Sequence, residues 1–98
     1  MRIAAGKVIL DFYNNDNLSL KHRKLEEVCT VLRRKFNLSA LEIADLDELE
    51  RCVIGFAAVI PDTWKDQSAR SFLEKVTNTI DETSVARVMS EDCEIIEF

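Results

Sequence analysis

Lys21, His22, Arg23 and Lys24 stand in a row two residues after Ser19, where a polar stretch gives way to a helical pattern. Cations at the start of a helix face the positive end of its dipole, and each is unfavourable there by roughly 0.3–1 kcal/mol at low salt. An anion relieves that repulsion. Free backbone N–H groups, the Ser19 hydroxyl and two or three cations together form a phosphate or carboxylate site, and the expected anion is the backbone of RNA. The competing reading pairs Arg23 with Glu26 or Glu27 and leaves the rest as a solvated face.

Other chemistry is harder to assemble. His22 is the single histidine, and Cys29 lies seven residues along the same helix, about 10.5 Å at 1.5 Å per residue, so the two do not meet as base and nucleophile. The two glycines, Gly6 and Gly55, both fall in strand patterns, which leaves no glycine-rich phosphate loop. The acidic turn with Asp45, Asp47, Glu48 and Glu50 lacks the glycine and the ligand spacing of a calcium loop. Cys29, Cys52 and Cys93 are an odd number at wide spacing, and Cys29 on the apolar stripe reads as a core thiol. The expectation is a protein that is not an enzyme, with no cofactor, no metal and no identified small-molecule substrate.

Six elements must position these residues. Val8, Leu10 and Phe12 alternate with Lys7, Ile9, Asp11 and Tyr13, predicting a strand over roughly Ile3 to Tyr13 that ends at the run Asn14 to Asn17. A helix is predicted from Ser19 as N-cap to Phe36, with Leu25, Val28, Cys29, Leu32 and Phe36 on one stripe. Strands over about Leu38 to Ala44 and Arg51 to Ile60 flank the acidic turn as a hairpin. Pro61 ends the second of them, and Thr63 with Asp66 resembles a capping box opening a helix to about Glu82, with Ala69, Phe72, Leu73, Val76 and Ile80 as its stripe. A last strand over about Val85 to Met89, its far end left open, leads into the acidic tail Glu91 to Phe98. The order βαββαβ predicts an α+β fold, the ferredoxin-like split βαββαβ sandwich: a four-stranded antiparallel sheet with two helices on one face.

RNA-recognition motifs share that order and place stacking aromatics on the open sheet face. Gly55, Phe56, Ala57 and Val59 match their signature strand, but Ile54, Ala58 and Pro61 stand where its basic and outer aromatic positions would be. Stacking contributes about 1–3 kcal/mol per base, so a sheet without those aromatics lacks the main source of single-strand affinity. Val53 to Ile60 reads as a central buried strand.

With 98 residues, 47% of them hydrophobic, the chain builds one core, read as a single domain over 1–98 with a short acidic C-terminal tail. No apolar run approaches the length of a membrane span. Residues 1–35 carry eight Lys/Arg against four Asp/Glu, and residues 36–98 carry five against fourteen, so the net charge of −5 hides a basic first third. That balance argues against a general nucleic-acid binder and leaves room for one basic patch. A reducing cytoplasm suits the cysteine usage. An open sheet face carrying Ile9, Val53, Ala57 and Val59 is a smooth apolar surface, and pairing with a second copy would cover it; Trp64, off the apolar stripe of its helix, joins it as a contact residue or caps the core. Edge-strand addition, or a tail from Glu94 to Phe98 covering an edge, would serve the same end.

Two stretches carry a family resemblance. Ser19 to Lys24, SLKHRK, is similar to the opening of the first helix in the YlxP-like family of small bacterial proteins of unknown function. Phe36 to Val59 resembles that family's central block, with the turn Asp45, Leu46, Asp47 and the strand residues Arg51, Gly55, Phe56, Ala57 and Val59. The resemblance implies a ferredoxin-like fold, no established activity, and a setting like that of translation and ribosome-maturation factors. Ribosome or RNA association follows as the expectation, with a homodimeric protein-interaction module as the alternative.

Overall fold

The sheet is built from the middle outward. A computed structural model describes residues 1–98 throughout. Strand β1, Arg2–Asp11, pairs antiparallel with β3, Arg51–Ile60, on one side and with β4, Arg87–Glu97, on the other; β2, Ser39–Ala44, completes the order β2-β3-β1-β4. Helix α1, Leu18–Lys35, joins β1 to β2, and helix α2, Asp66–Thr83, joins β3 to β4. This is the ferredoxin-like split βαβ arrangement expected from the chain order.

Alternation decides the faces. Ala4, Val8 and Leu10 of β1 lie opposite Ala58, Ile54 and Cys52 of β3, all buried. Leu25, Val28, Cys29 and Leu32 of α1 and Ala69, Leu73, Val76 and Ile80 of α2 close over them as the helical stripes require. Each large side chain sealed in this way contributes about 1.5–3 kcal/mol. Phe56 points into this core, its ring lying over Gly6. A Cβ at Gly6 would come within 2.6 Å of the Phe56 ring and 2.6 Å of the Cys93 sulfur, so the position accepts no side chain.

Four boundaries differ from the expectation. The N-cap of α1 is Asn17, whose side chain accepts from the Leu20 N–H, and Ser19 lies inside the first turn. The cap of α2 is Lys65, without a side-chain hydrogen bond, so the Thr63-x-x-Asp66 box does not form. Strand β1 ends at Asp11, leaving Tyr13 beyond it. The acidic tail is not a tail: residues up to Glu97 belong to β4, with Cys93 and Ile95 packed against the core and acidic neighbours facing out. An edge strand tolerates those carboxylates, which also discourage pairing with another chain.

The other face of the sheet has no helix over it. Ile3, Ala5, Lys7 and Ile9 lie there opposite Val59, Ala57, Gly55 and Val53. Ile43 of β2 folds over Gly55, where an added Cβ would meet its Cδ1 at 2.8 Å. Val53 is only 7% exposed, so of the four sheet residues expected to form a contact surface it offers little area, while Val59 is 66% exposed. Trp64 is half-buried with its ring edge-on to Phe72 at 5.8 Å, part of an aromatic cap with Phe36 over the far end of the core.

Candidate functional site

The start of α1, the β2–β3 hairpin tip and the strand ends of β1 and β4 meet at one end of the molecule. Asn15 ties them together, its side-chain amide donating to the carbonyls of Asn17 and Leu49, and the Phe12 N–H donates to the Glu50 carbonyl.

Lys21 is not on the surface. Its side chain is fully buried, and its ammonium donates to the carbonyls of Asp45 at 2.8 Å, Glu48 at 2.6 Å and Arg51 at 3.0 Å. It stands where a bound cation would stand in a carbonyl-lined turn. An ammonium has three protons, and all three are engaged. Glu42 Oε2, 3.3 Å away, is therefore held by charge alone and has no hydrogen-bond partner. The expected anion site loses Lys21 for this reason: the carbonyls of the hairpin tip supply the compensation that an anion was expected to supply.

His22 is drawn into the same network. Its Nδ1 lies 2.7 Å from Glu42 Oε1, and since an ionised carboxylate only accepts, Nδ1 carries the proton. One carboxylate thus answers both Lys21 and His22. Arg51 adds a contact to Asp45 at 3.4 Å, closing the hairpin tip, where Asp45 adopts a positive φ of 59°.

Arg23 is exposed and Lys24 half-buried, its ammonium 6.0 Å from the Phe12 ring centroid. Neither Glu26 nor Glu27 pairs with Arg23; Glu26 pairs with Arg33, which also donates to the Ala40 carbonyl. No acidic residue lies in the first turn of α1, and Arg33, Arg34 and Lys35 occupy its last turn. Ser19 is exposed, and the Leu20 N–H, one of the N–H groups at the helix start, donates to the Asn17 side chain.

Lys24 also lines a groove the sequence reading did not anticipate. One cleft of about 440 Å³ is bordered by Tyr13, Asn14, Leu20, Lys24, Val85 and Arg87, among others. A second of about 270 Å³ adjoins it, sharing Phe12, Lys24 and Val85 and continuing along Val28 and Val31 of α1. Tyr13 was read as a strand residue; its place just before Asn14 to Asn17 was the available signal that its side chain would project past the strand.

The thiols offer no reactive centre. Burial pushes Cys29 up to about 11 and Cys52 up to about 12, and Cys93 is raised for the same reason, so none is a thiolate at neutral pH. All three are free.

Fold and site together describe a small ferredoxin-like sandwich with an open sheet face and a polar, partly basic end. The chain belongs to the family described as "Protein of unknown function (DUF503)", whose model matches residues 3–93. No curated protein matches it. Among solved structures, it is similar to a de novo designed protein with a ferredoxin fold, LFR1 1, at TM-score 0.52 and 12% identity over 96% of this chain and 85% of that one. It also matches 3-hydroxy-3-methylglutaryl-coenzyme A reductase of Streptococcus pneumoniae at TM-score 0.49 and 16% identity, covering 96% of this chain and 28% of that enzyme. The likeness to the designed protein shows the fold alone.

Proposed function

We propose that this protein is a non-enzymatic cytoplasmic binding module that associates with RNA, in the setting of the ribosome, through the basic surface of α1. The observation that supports it is a set of unpaired cations: Arg23, Lys24 and Arg34 take part in none of the seven ion pairs of the chain. Arg23 and Arg34 are eleven residues apart, about 16.5 Å along the helix, a span that several successive phosphates would cover. The resemblance to YlxP-like proteins agrees with this setting. The test is the salt dependence of ribosomal RNA binding. Arg23→Ala with Arg34→Ala should flatten the plot of log affinity against log salt by about one to two units. An unchanged slope, or no RNA binding by the natural chain at low salt, would overturn the reading.

A second reading rests on the open sheet face. Ile3, Ile9, Leu41, Ile43, Val59 and Ile96 leave apolar surface on it, and Lys7 sits opposite Asp92 in the β1–β4 register on the same face. A two-fold pairing that set Lys7 of each copy against Asp92 of the other would be self-complementary. This reading makes the protein a homodimer and agrees with RNA binding at the α1 end.

A further inference from the structure

The groove beside the start of α1 has the composition of a nucleotide site. Tyr13 is 80% exposed and Val85 77% exposed, large apolar surfaces left in water on either side of a cleft. Tyr13 makes none of the hydrogen bonds that hold this end together, which run instead through Asn15, Asn17 and Lys21. Next to it, Asn14 adopts a positive φ of 62°, turning the chain sharply just after the phenol. Lys24 and Arg87 border the same cleft, one from α1 and one from the first residue of β4, and neither belongs to an ion pair.

We infer that Tyr13, Lys24 and Arg87 form a site for single-stranded RNA, with a base stacked on the Tyr13 ring and the adjoining phosphates held by the two cations. An exposed aromatic ring sharing a cleft with two cations that form no ion pair matches the two parts of a nucleotide, a flat π face and an anion. The carboxylates of Asp11 and Asp16 line the cleft as well. Asp11 lies directly opposite Arg87 in the β1–β4 register and offsets part of its charge, so Lys24 carries more of the phosphate contact, and the carboxylates accept hydrogen bonds from exocyclic amino groups of the base. The adjoining cleft along Val28 and Val31 gives the next nucleotide an apolar floor. A duplex keeps its bases stacked on one another and has none to offer Tyr13.

The inference rests on the RNA-binding reading and adds strand selectivity to it. The probe is a labelled 20-nucleotide mixed-sequence RNA, free and annealed to its complement, followed by fluorescence anisotropy. Tyr13→Ala should weaken single-strand binding about 5- to 150-fold, leave duplex binding within twofold, and keep the salt slope, while Tyr13→Phe restores affinity. Lys24→Ala or Arg87→Ala should each lower the single-strand slope by about 0.7. Single-strand binding that survives Tyr13→Ala overturns this site and leaves the α1 surface standing. Absence of RNA binding by the unaltered protein overturns both. Circular dichroism on each variant separates loss of binding from loss of fold, and the exposure of Tyr13 predicts that its variants fold normally.

Discussion

A buried ammonium that satisfies three carbonyls is worth most when one imagines it gone. Lys21→Met keeps the length of the side chain and removes the donors, leaving the carbonyls of Asp45, Glu48 and Arg51 and the Glu42 carboxylate without their partner. Breaking a buried pair from one side costs about 3–5 kcal/mol. That is a large part of the 5–15 kcal/mol by which a typical domain is stable. Urea denaturation should show the loss, and a midpoint within experimental scatter of the natural chain would contradict the assignment. The cysteines make a separate residue-scale prediction. A thiol held near 11 or 12 in the fold and near 9.0 when unfolded favours the folded state fully below pH 9. Above it the unfolded chain sheds its thiol protons first, so stability falls as pH rises from about 9 towards 11. At about 1.4 kcal/mol for each pH unit between the unfolded and folded values, Cys29→Ala with Cys52→Ala should remove about 5 kcal/mol of that fall by pH 11, seen as a shallower decline of the urea midpoint across the alkaline range.

At the scale of elements, the two glycines of the sheet separate packing from tolerance. Gly6 faces a ring and a sulfur that are themselves packed, so Gly6→Ala should destabilise by about 1–3 kcal/mol. Gly55 faces Cδ1 and Cγ2 of Ile43 alone, a half-exposed side chain that can turn aside, and Gly55→Ala should cost less than half as much when both variants are compared by thermal melting. The elements themselves were legible because periodicity reports burial: both helical stripes and the whole of β3 could be read from the chain. What periodicity cannot report is a side chain that leaves its face. Lys21 looked like one of four surface cations since nothing local says that a lysine will turn inward to carbonyls 24 to 30 residues away. Strand β4 was underestimated for a related reason. Its acidic residues read as solvent-exposed, which they are, but an edge strand can carry them while Cys93 and Ile95 reach the core.

For the molecule as a whole, charge and apolar surface lie in different places. The basic surface belongs to α1, and acidic residues Glu91, Asp92, Glu94 and Glu97 belong to β4 at the opposite edge from β2. A ligand with a phosphate backbone approaching from solution is oriented by that asymmetry before it makes contact. The open sheet face leads to the remaining prediction. If two copies pair through it, size-exclusion chromatography with light scattering gives twice the 11.2 kDa chain mass, and Val59→Asp, altering a residue 66% exposed, returns the monomer without unfolding it. A monomer at all concentrations would dismiss the pairing and leave the RNA-binding proposal untouched.

The Lys21 contact also changes what the hairpin is. The turn from Asp45 to Glu50 holds no glycine or proline, the usual means by which a short connection specifies its own shape. Its shape is instead specified by residues that precede it in the chain, chiefly the Lys21 ammonium of α1, with Asn15 and the Phe12 N–H holding its last carbonyls. Transplanted into another sheet without that helix, the same residues would lose their instruction. The segment that holds every contact of this turn runs from Phe12 to Arg51, and the turn is inherited with the end of β1 and with α1 or not at all.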